Sequence, residues 1–155
     1  MRDPDDKRWT LSAAERAVLA AAADAFFPPS GPIPLSGCDA HVVEWFDGYV
    51  GRAHAAQAVL MRLLFAFTEL SPLVFGPERG RFTRISQEGR IAFLARENRS
   101  RIYFRRVAFI SLRAMMTMAY LSNARVSRYM NMNADTDPFG LDKQPSVRPN
   151  PQVMA

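Results

Sequence analysis

Apolar positions recur at helical spacing through the first 130 residues of this chain. Leu11, Ala14, Val18, Ala21, Ala22, Ala25 and Phe26 follow one another at intervals of one, three and four, which predicts an amphipathic helix. Ser12-Ala13-Ala14-Glu15 opens it as a capping box: the serine hydroxyl accepts from the Glu15 amide and the Glu15 carboxylate reaches back. Pro28-Pro29 stops it, because proline disfavours the helical region for the residue before it. Residues 28–37 hold four prolines and two glycines, the mark of an ordered loop rather than a domain linker. A second helix is expected over Cys38 to Val50, with Val42, Val43, Trp45, Phe46 and Tyr49 as its apolar content.

The third helix, from about Ala55 to Leu70, is apolar nearly all round through Val59, Leu60, Met61, Leu63, Leu64, Phe65 and Phe67. That pattern places it at the centre of the fold. Ser71-Pro72 then predicts a restart, with Pro72 at a first helical position where its missing N–H does no harm. Gly76-Pro77-Glu78-Arg79-Gly80 breaks the chain again. Ser86 caps a fourth helix from Gln87 to about Asn98. A fifth runs from about Ile102 to Leu121, roughly 30 Å at 1.5 Å per residue. After the polar turn Ser122-Asn123 comes an amphipathic stub from Ala124 to Tyr129-Met130. No segment sustains strand-type alternation, so the expected fold is all-α: a compact irregular bundle of about five helices over residues 9–130.

From Asn131 the character changes. Asp135 to Gly140 and Pro145 to Pro151 lack a helical period, and four prolines interrupt residues 131–155. Proline holds such a stretch extended, and it cannot pack a core alone. It reads either as a frayed terminus or as an extended arm laid along another chain, with Phe139, Val147 and Met154 as anchors. The partner-contacting residues expected on the second reading are Tyr129, Met130, Met132, Pro138, Phe139 and Val147.

A length of 155 residues suits one domain burying about 70% of its unfolded surface. Eighteen of the twenty basic residues are arginine, which fits an Ala- and Arg-rich composition at large. Cys38 stands alone, which excludes an internal disulfide and fits a reducing compartment. The start Met1-Arg2-Asp3-Pro4-Asp5-Asp6-Lys7 is too acidic and polar for a secretory signal, so a cytoplasmic location is expected. Val107 to Leu121, fifteen residues interrupted by Arg113, is short of the ~20 that cross a bilayer. It reads as a buried core helix or as a helix docked into a partner, and no membrane span is expected.

Catalytic chemistry finds little footing. Nucleophilic catalysis needs a Ser, Cys or Thr beside an oriented base, and the two histidines, His41 and His54, lie near no nucleophile-elbow pattern. His41, Glu44 and Asp47 share a helix face, yet no glutamate has a histidine three residues on, as a di-iron bundle requires. Residues 76–80 lack the spacing and the Lys-Ser/Thr ending of a phosphate loop. Neither a Gly-x-Gly-x-x-Gly fingerprint nor a Cys-x-x-Cys-His haem motif occurs.

Charge supplies a competing pointer. Between Arg79 and Arg113 ten arginines face only Glu88 and Glu97, a local balance of +8, with Tyr103 and Phe104 among Arg96, Arg99, Arg101, Arg105 and Arg106. Arginine forks grip phosphates and aromatics stack on bases; the same arginines also serve ion pairs within the fold or with a partner, or a solvated face. Met115, Met116, Met118, Met130 and Met132 suit either core packing or an adaptable docking face.

Three segments carry a family resemblance: Thr10-Leu11-Ser12-Ala13-Ala14-Glu15-Arg16, Phe26-Phe27-Pro28-Pro29, and Met118-Ala119-Tyr120-Leu121-Ser122-Asn123-Ala124-Arg125-Val126. Over residues 9–130 the chain resembles the small subunit (subunit 3) of gluconate 2-dehydrogenase-type flavoenzymes. The resemblance implies a helical chain with no cofactor of its own, accompanying a large FAD-binding subunit of the glucose-methanol-choline oxidoreductase type. Family members often carry a twin-arginine export signal, from which this sequence departs. The expected function is a non-catalytic accessory subunit that binds and stabilises that FAD-dependent chain in an alcohol or sugar dehydrogenase or oxidase complex. Expressed alone, it is expected to be poorly soluble or to self-associate. The rival expectation is a free-standing basic helical module that binds nucleic acid or an anionic surface.

Overall fold

The computed structural model describes residues 9–130, and among them the regular structure is entirely helical. The elements are α1 (Ala13–Phe26), α2 (Val42–Arg52), α3 (Ala55–Phe75), α4 (Gln87–Asn98), α5 (Tyr103–Leu121) and α6 (Ala124–Tyr129), so the terminal stub is a sixth short helix. The all-α fold is as the periodicity predicts. Residues 131–155, where the expected arm lies, fall outside the described residues.

The centre of the bundle is α1, against which α2, α3, α4 and α5 all pack. Its buried face is Val18, Leu19, Ala21, Ala22, Ala23 and Ala25, and side chains this small let neighbouring helices approach closely. The capping box forms as expected, Glu15 N donating to Ser12 Oγ at 3.2 Å and Ser12 N to Glu15 Oε2 at 2.7 Å. Phe46 and Phe65 meet edge to face at 5.8 Å beneath it, both fully buried.

The expectation that α3 is central is corrected. It buries one stripe, Ala58, Met61, Phe65, Thr68 and Pro72, and leaves the opposite side in solvent. The expected restart at Ser71-Pro72 is corrected as well, since α3 runs through Pro72 to Phe75. Pro72 has no N–H for the Thr68 carbonyl. The loss is tolerated because Pro72 is fully buried and the Phe82 amide donates to the Glu69 carbonyl at 3.0 Å, holding this turn from outside. The uninterrupted α3, 21 residues long with an 18-residue window of mean hydropathy 1.7, is by length and composition able to cross a bilayer; 33% of that window is buried within the fold, and core helices pass the same test.

The second helix starts at Val42 rather than Cys38. Ser36 and Asp39 cap each other, Ser36 N donating to Asp39 Oδ2 and Asp39 N to Ser36 Oγ, which closes a separate turn. His41 then takes a left-handed conformation, φ 56°, that a helix cannot include. The 27–41 loop is tied to the body: the Tyr120 hydroxyl donates to the Leu35 carbonyl at 2.8 Å, Asn123 Nδ2 donates to the Ala40 carbonyl at 3.2 Å, and Gly37 N donates to the Phe27 carbonyl. Gly37 lies so close to α1 that an added Cβ would collide with the Ala23 carbonyl. Gly37→Ala is therefore expected to cost about 1–3 kcal/mol or more as the loop is forced off α1, read as a lowered urea midpoint. An unchanged midpoint would show that the loop adapts freely.

Candidate docking surface

The solvent side of α3 has a regular pattern. Ala56, Leu60, Leu63, Phe67, Leu70 and Val74 succeed one another at spacings of four, three, four, three and four, the period of a coiled-coil seam. All but the half-buried Phe67 are exposed, Leu60 by 67%, Leu63 by 61% and Val74 by 74%. Val59, Ala66 and Leu73 flank this row and are exposed too. None of these positions is charged. The two charged side chains of α3 are occupied elsewhere: Arg62 reaches the Thr10 carbonyl and Glu15, while the Glu69 carboxylate accepts from Thr83 N and Oγ1.

A second apolar stripe continues this one. Phe67 of α3 meets Phe104 of α5 edge to face at 5.2 Å. From there Ile102, Tyr103, Phe104, Val107 and Ile110 lie exposed along the first half of α5, Tyr103 by 72% and Phe104 by 64%. With Val59, Leu60, Leu63, Leu70, Leu73 and Val74 they put eleven large apolar side chains in solvent on two helices, more than singly scattered surface residues would.

The arginines divide into two groups. Arg105 is largely buried and pairs with Glu97, its Nε 3.0 Å from Glu97 Oε2, and its guanidinium lies 4.0 Å above the Phe75 ring. Arg90 donates to the Phe82 and Thr83 carbonyls, pinning the loop before α4. The other arginines between 79 and 113 are exposed. Among them Arg106 and Arg113 share a face of α5 with Ile110, and Arg106 lies 6.0 Å over the Tyr103 ring. The apolar stripe of α5 thus has a positive border, and α5 contains no acidic residue.

Tyr129 and Met130, expected at a partner interface, are exposed at the end of the described chain. The Tyr129 hydroxyl donates to the Pro32 carbonyl at 3.3 Å. Met130 lines an open, apolar groove of about 340 Å³ with Phe26, Phe27, Pro32, Ile33 and Tyr120. Met132, Pro138, Phe139 and Val147 lie outside the described residues. The methionines of α5 split between roles: Met116 is fully buried, Met115 half-buried and Met118 exposed.

Catalytic geometry is sparse among the described residues. A cavity of about 20 Å³ lies between α3, α4 and α5, lined by Thr68, Ser71, Glu97, Arg105 and Phe109 among others; it has room for a water molecule and not for a substrate. His41 Nδ1 is 3.9 Å from Glu44 Oε2, whereas Asp47 turns away to accept from Leu11 N and pair with Arg16. No group of three or more His, Cys, Asp or Glu side chains gathers as a metal site among the described residues.

The Cys38 thiol points toward the Ala20 carbonyl at 3.7 Å. Burial, followed by the charge and hydrogen bond of Asp24, pushes it up to about 12 from its ordinary value of 9.0. A pKa raised by folding leaves stability untouched below the unfolded value and erodes it above. Stability should therefore decline from about pH 9 upward as the unfolded chain ionises first. The ultraviolet thiolate band of the native chain should stay absent at pH 9–10 and appear there in urea; a native titration near pH 9 would contradict the assignment.

Reading the sequence for catalytic motifs passes over the α3 seam, which consists of ordinary leucines. Its signal is present as the 4-3-4-3-4 spacing, separable from the core stripe only once the two are assigned to opposite faces. Comparison with known proteins finds no matching family model, no matching curated protein and no matching solved structure.

Proposed function

We propose that this chain is a non-catalytic accessory subunit that docks onto a larger protein through the exposed faces of α3 and α5. The observation that carries the reading is the uncharged apolar row along α3, continued by Phe104, Val107 and Ile110. Leaving so much apolar surface in water is unfavourable at about 25 cal/mol per Å², and covering it on binding recovers that energy. A helical body with no gathered metal-ligand cluster among its described residues is consistent with such a role. The partner class comes from the family resemblance: a large FAD-binding subunit of the glucose-methanol-choline type, which would hold the flavin and the active site.

The experiment is co-expression with a neighbouring reading frame that encodes such a flavoprotein. The two chains should co-purify at a fixed ratio with the flavin spectrum on the larger one, and this chain alone should self-associate or precipitate. A well-behaved, cooperatively melting monomer that ignores the flavoprotein would overturn the proposal.

A second reading has its own observation, the exposed Arg96, Arg99, Arg101 and Arg106 around Tyr103 and Phe104. A basic module binding nucleic acid through these residues would lose affinity steeply with salt. Binding through the apolar face would not.

A further inference from the structure

Independently of the docking reading, we propose that the segment after α6 folds back on its own chain, with Phe139 and Leu141 seated in the apolar groove between the end of α1, the loop after it and α5. The groove is already walled by rings. Phe27 stacks on Tyr120 with centroids 3.9 Å apart and planes 3° from parallel, and Phe26 leans on Phe27 at 6.3 Å. Ile33, Thr117 and Met130 extend a lining that is almost wholly apolar and open to solvent. A further aromatic ring suits such a wall, since offset and edge contacts at about 4.5–7 Å are favourable beyond the area they bury.

The position of Met130 selects the occupant. The Tyr129 hydroxyl donates to the Pro32 carbonyl, which ties the end of α6 to the loop that forms one wall, and Met130 itself stands in the lining. The chain therefore leaves α6 from the rim of the groove. Phe139 follows nine residues later, a length that reaches at most about 30 Å and suffices to turn and come back. A short tether holds Phe139 and Leu141 near the groove at an effective concentration on the order of mM. A second copy or another protein must first give up its translational freedom. Charge agrees with a return onto the body. Residues 131–142 carry Asp135, Asp137 and Asp142 and no base, while residues 9–130 carry fifteen arginines against nine carboxylates. Arg113 stands one turn before Thr117 on the same face of α5, exposed and in no ion pair among the described residues.

The test uses the full chain with photoreactive benzoylphenylalanine in place of Phe139, and in a separate sample in place of Leu141. Each sample is an equal mixture of isotopically heavy and light chains. Irradiation should join the probe to residues 26–33 or 117–121 of its own chain, seen as cross-links that are all heavy or all light. Thr117→Glu puts a charge into the groove from a half-buried position of α5 and should lower the yield about tenfold, with circular dichroism unchanged. Arg113→Glu should lower it as well, and adding Asp135→Arg with Asp137→Arg should restore it. Mixed heavy–light cross-links would give the groove to a second copy and overturn the proposal. So would probes that join α3 or a co-purified protein, or probes that reach the groove from neither position. A yield that neither Thr117→Glu nor Arg113→Glu lowers would overturn it too. The α3 reading stands or falls separately, since no residue of α3 lines the groove.

Discussion

Replacing Leu63 and Leu70 together by glutamate is expected to abolish association with the partner while leaving the fold intact. Each leucine contributes roughly 1.5–3 kcal/mol when it passes from water into a contact. Each introduced carboxylate adds the cost of desolvating a charge against apolar surface. A combined loss of at least about 3–6 kcal/mol weakens binding by two to four powers of ten. The body should not notice, because both side chains point into solvent and the buried stripe of α3 is untouched. Circular dichroism and melting temperature should match those of the parent chain, and self-association should fall. Sedimentation velocity of the variant, alone and with the flavoprotein, checks both halves of this expectation.

Glu97→Ala should be the most damaging single change in the body outside the aromatic core. Glu97 is buried, and its carboxylate holds the largely buried Arg105 guanidinium over Phe75. Truncating it leaves a positive charge in a poorly solvated place, which typically costs about 3–5 kcal/mol. Against a total stability of about 5–15 kcal/mol for a domain, that brings the chain near unfolding. Removing both partners, as Glu97→Leu with Arg105→Met, should restore most of the loss, since an apolar pair of similar volume leaves no orphaned charge. Urea denaturation of the single and double variants measures this directly. A double variant as unstable as Glu97→Ala alone would place the damage in packing rather than in charge.

Much of the fold is legible in the sequence because its signals are local. Ser12, Ser86 and the helical period of residues 87–121 mark starts and stops that need no tertiary information, and α1, α4 and α5 lie where those residues place them. The misreadings occur where distant groups intervene. Pro72 looks like a restart until its burial and the Phe82–Glu69 bond are known. His41 looks helical until the Ser36–Asp39 turn ahead of it is seen. The third helix looks central because it is apolar on two sides, and sequence alone does not say which side meets the body. Alanines decided that: α1, with the smallest side chains, takes the middle, and the richer α3 is left with a face to spare. The candidate surface was hidden for the same reason, since leucines that would fill a core and leucines that would meet a partner are chemically alike.

The central claim is that the α3 face is covered in the working assembly. A photoreactive benzoylphenylalanine placed at Leu63, and in a separate sample at the exposed Arg125 as a control away from α3, tests it in cells that express the chain at native level. The account predicts that irradiation joins the Leu63 probe to one larger flavin-containing chain and leaves the Arg125 probe unjoined. A Leu63 probe that stays uncoupled while the chain is folded and functional would contradict it.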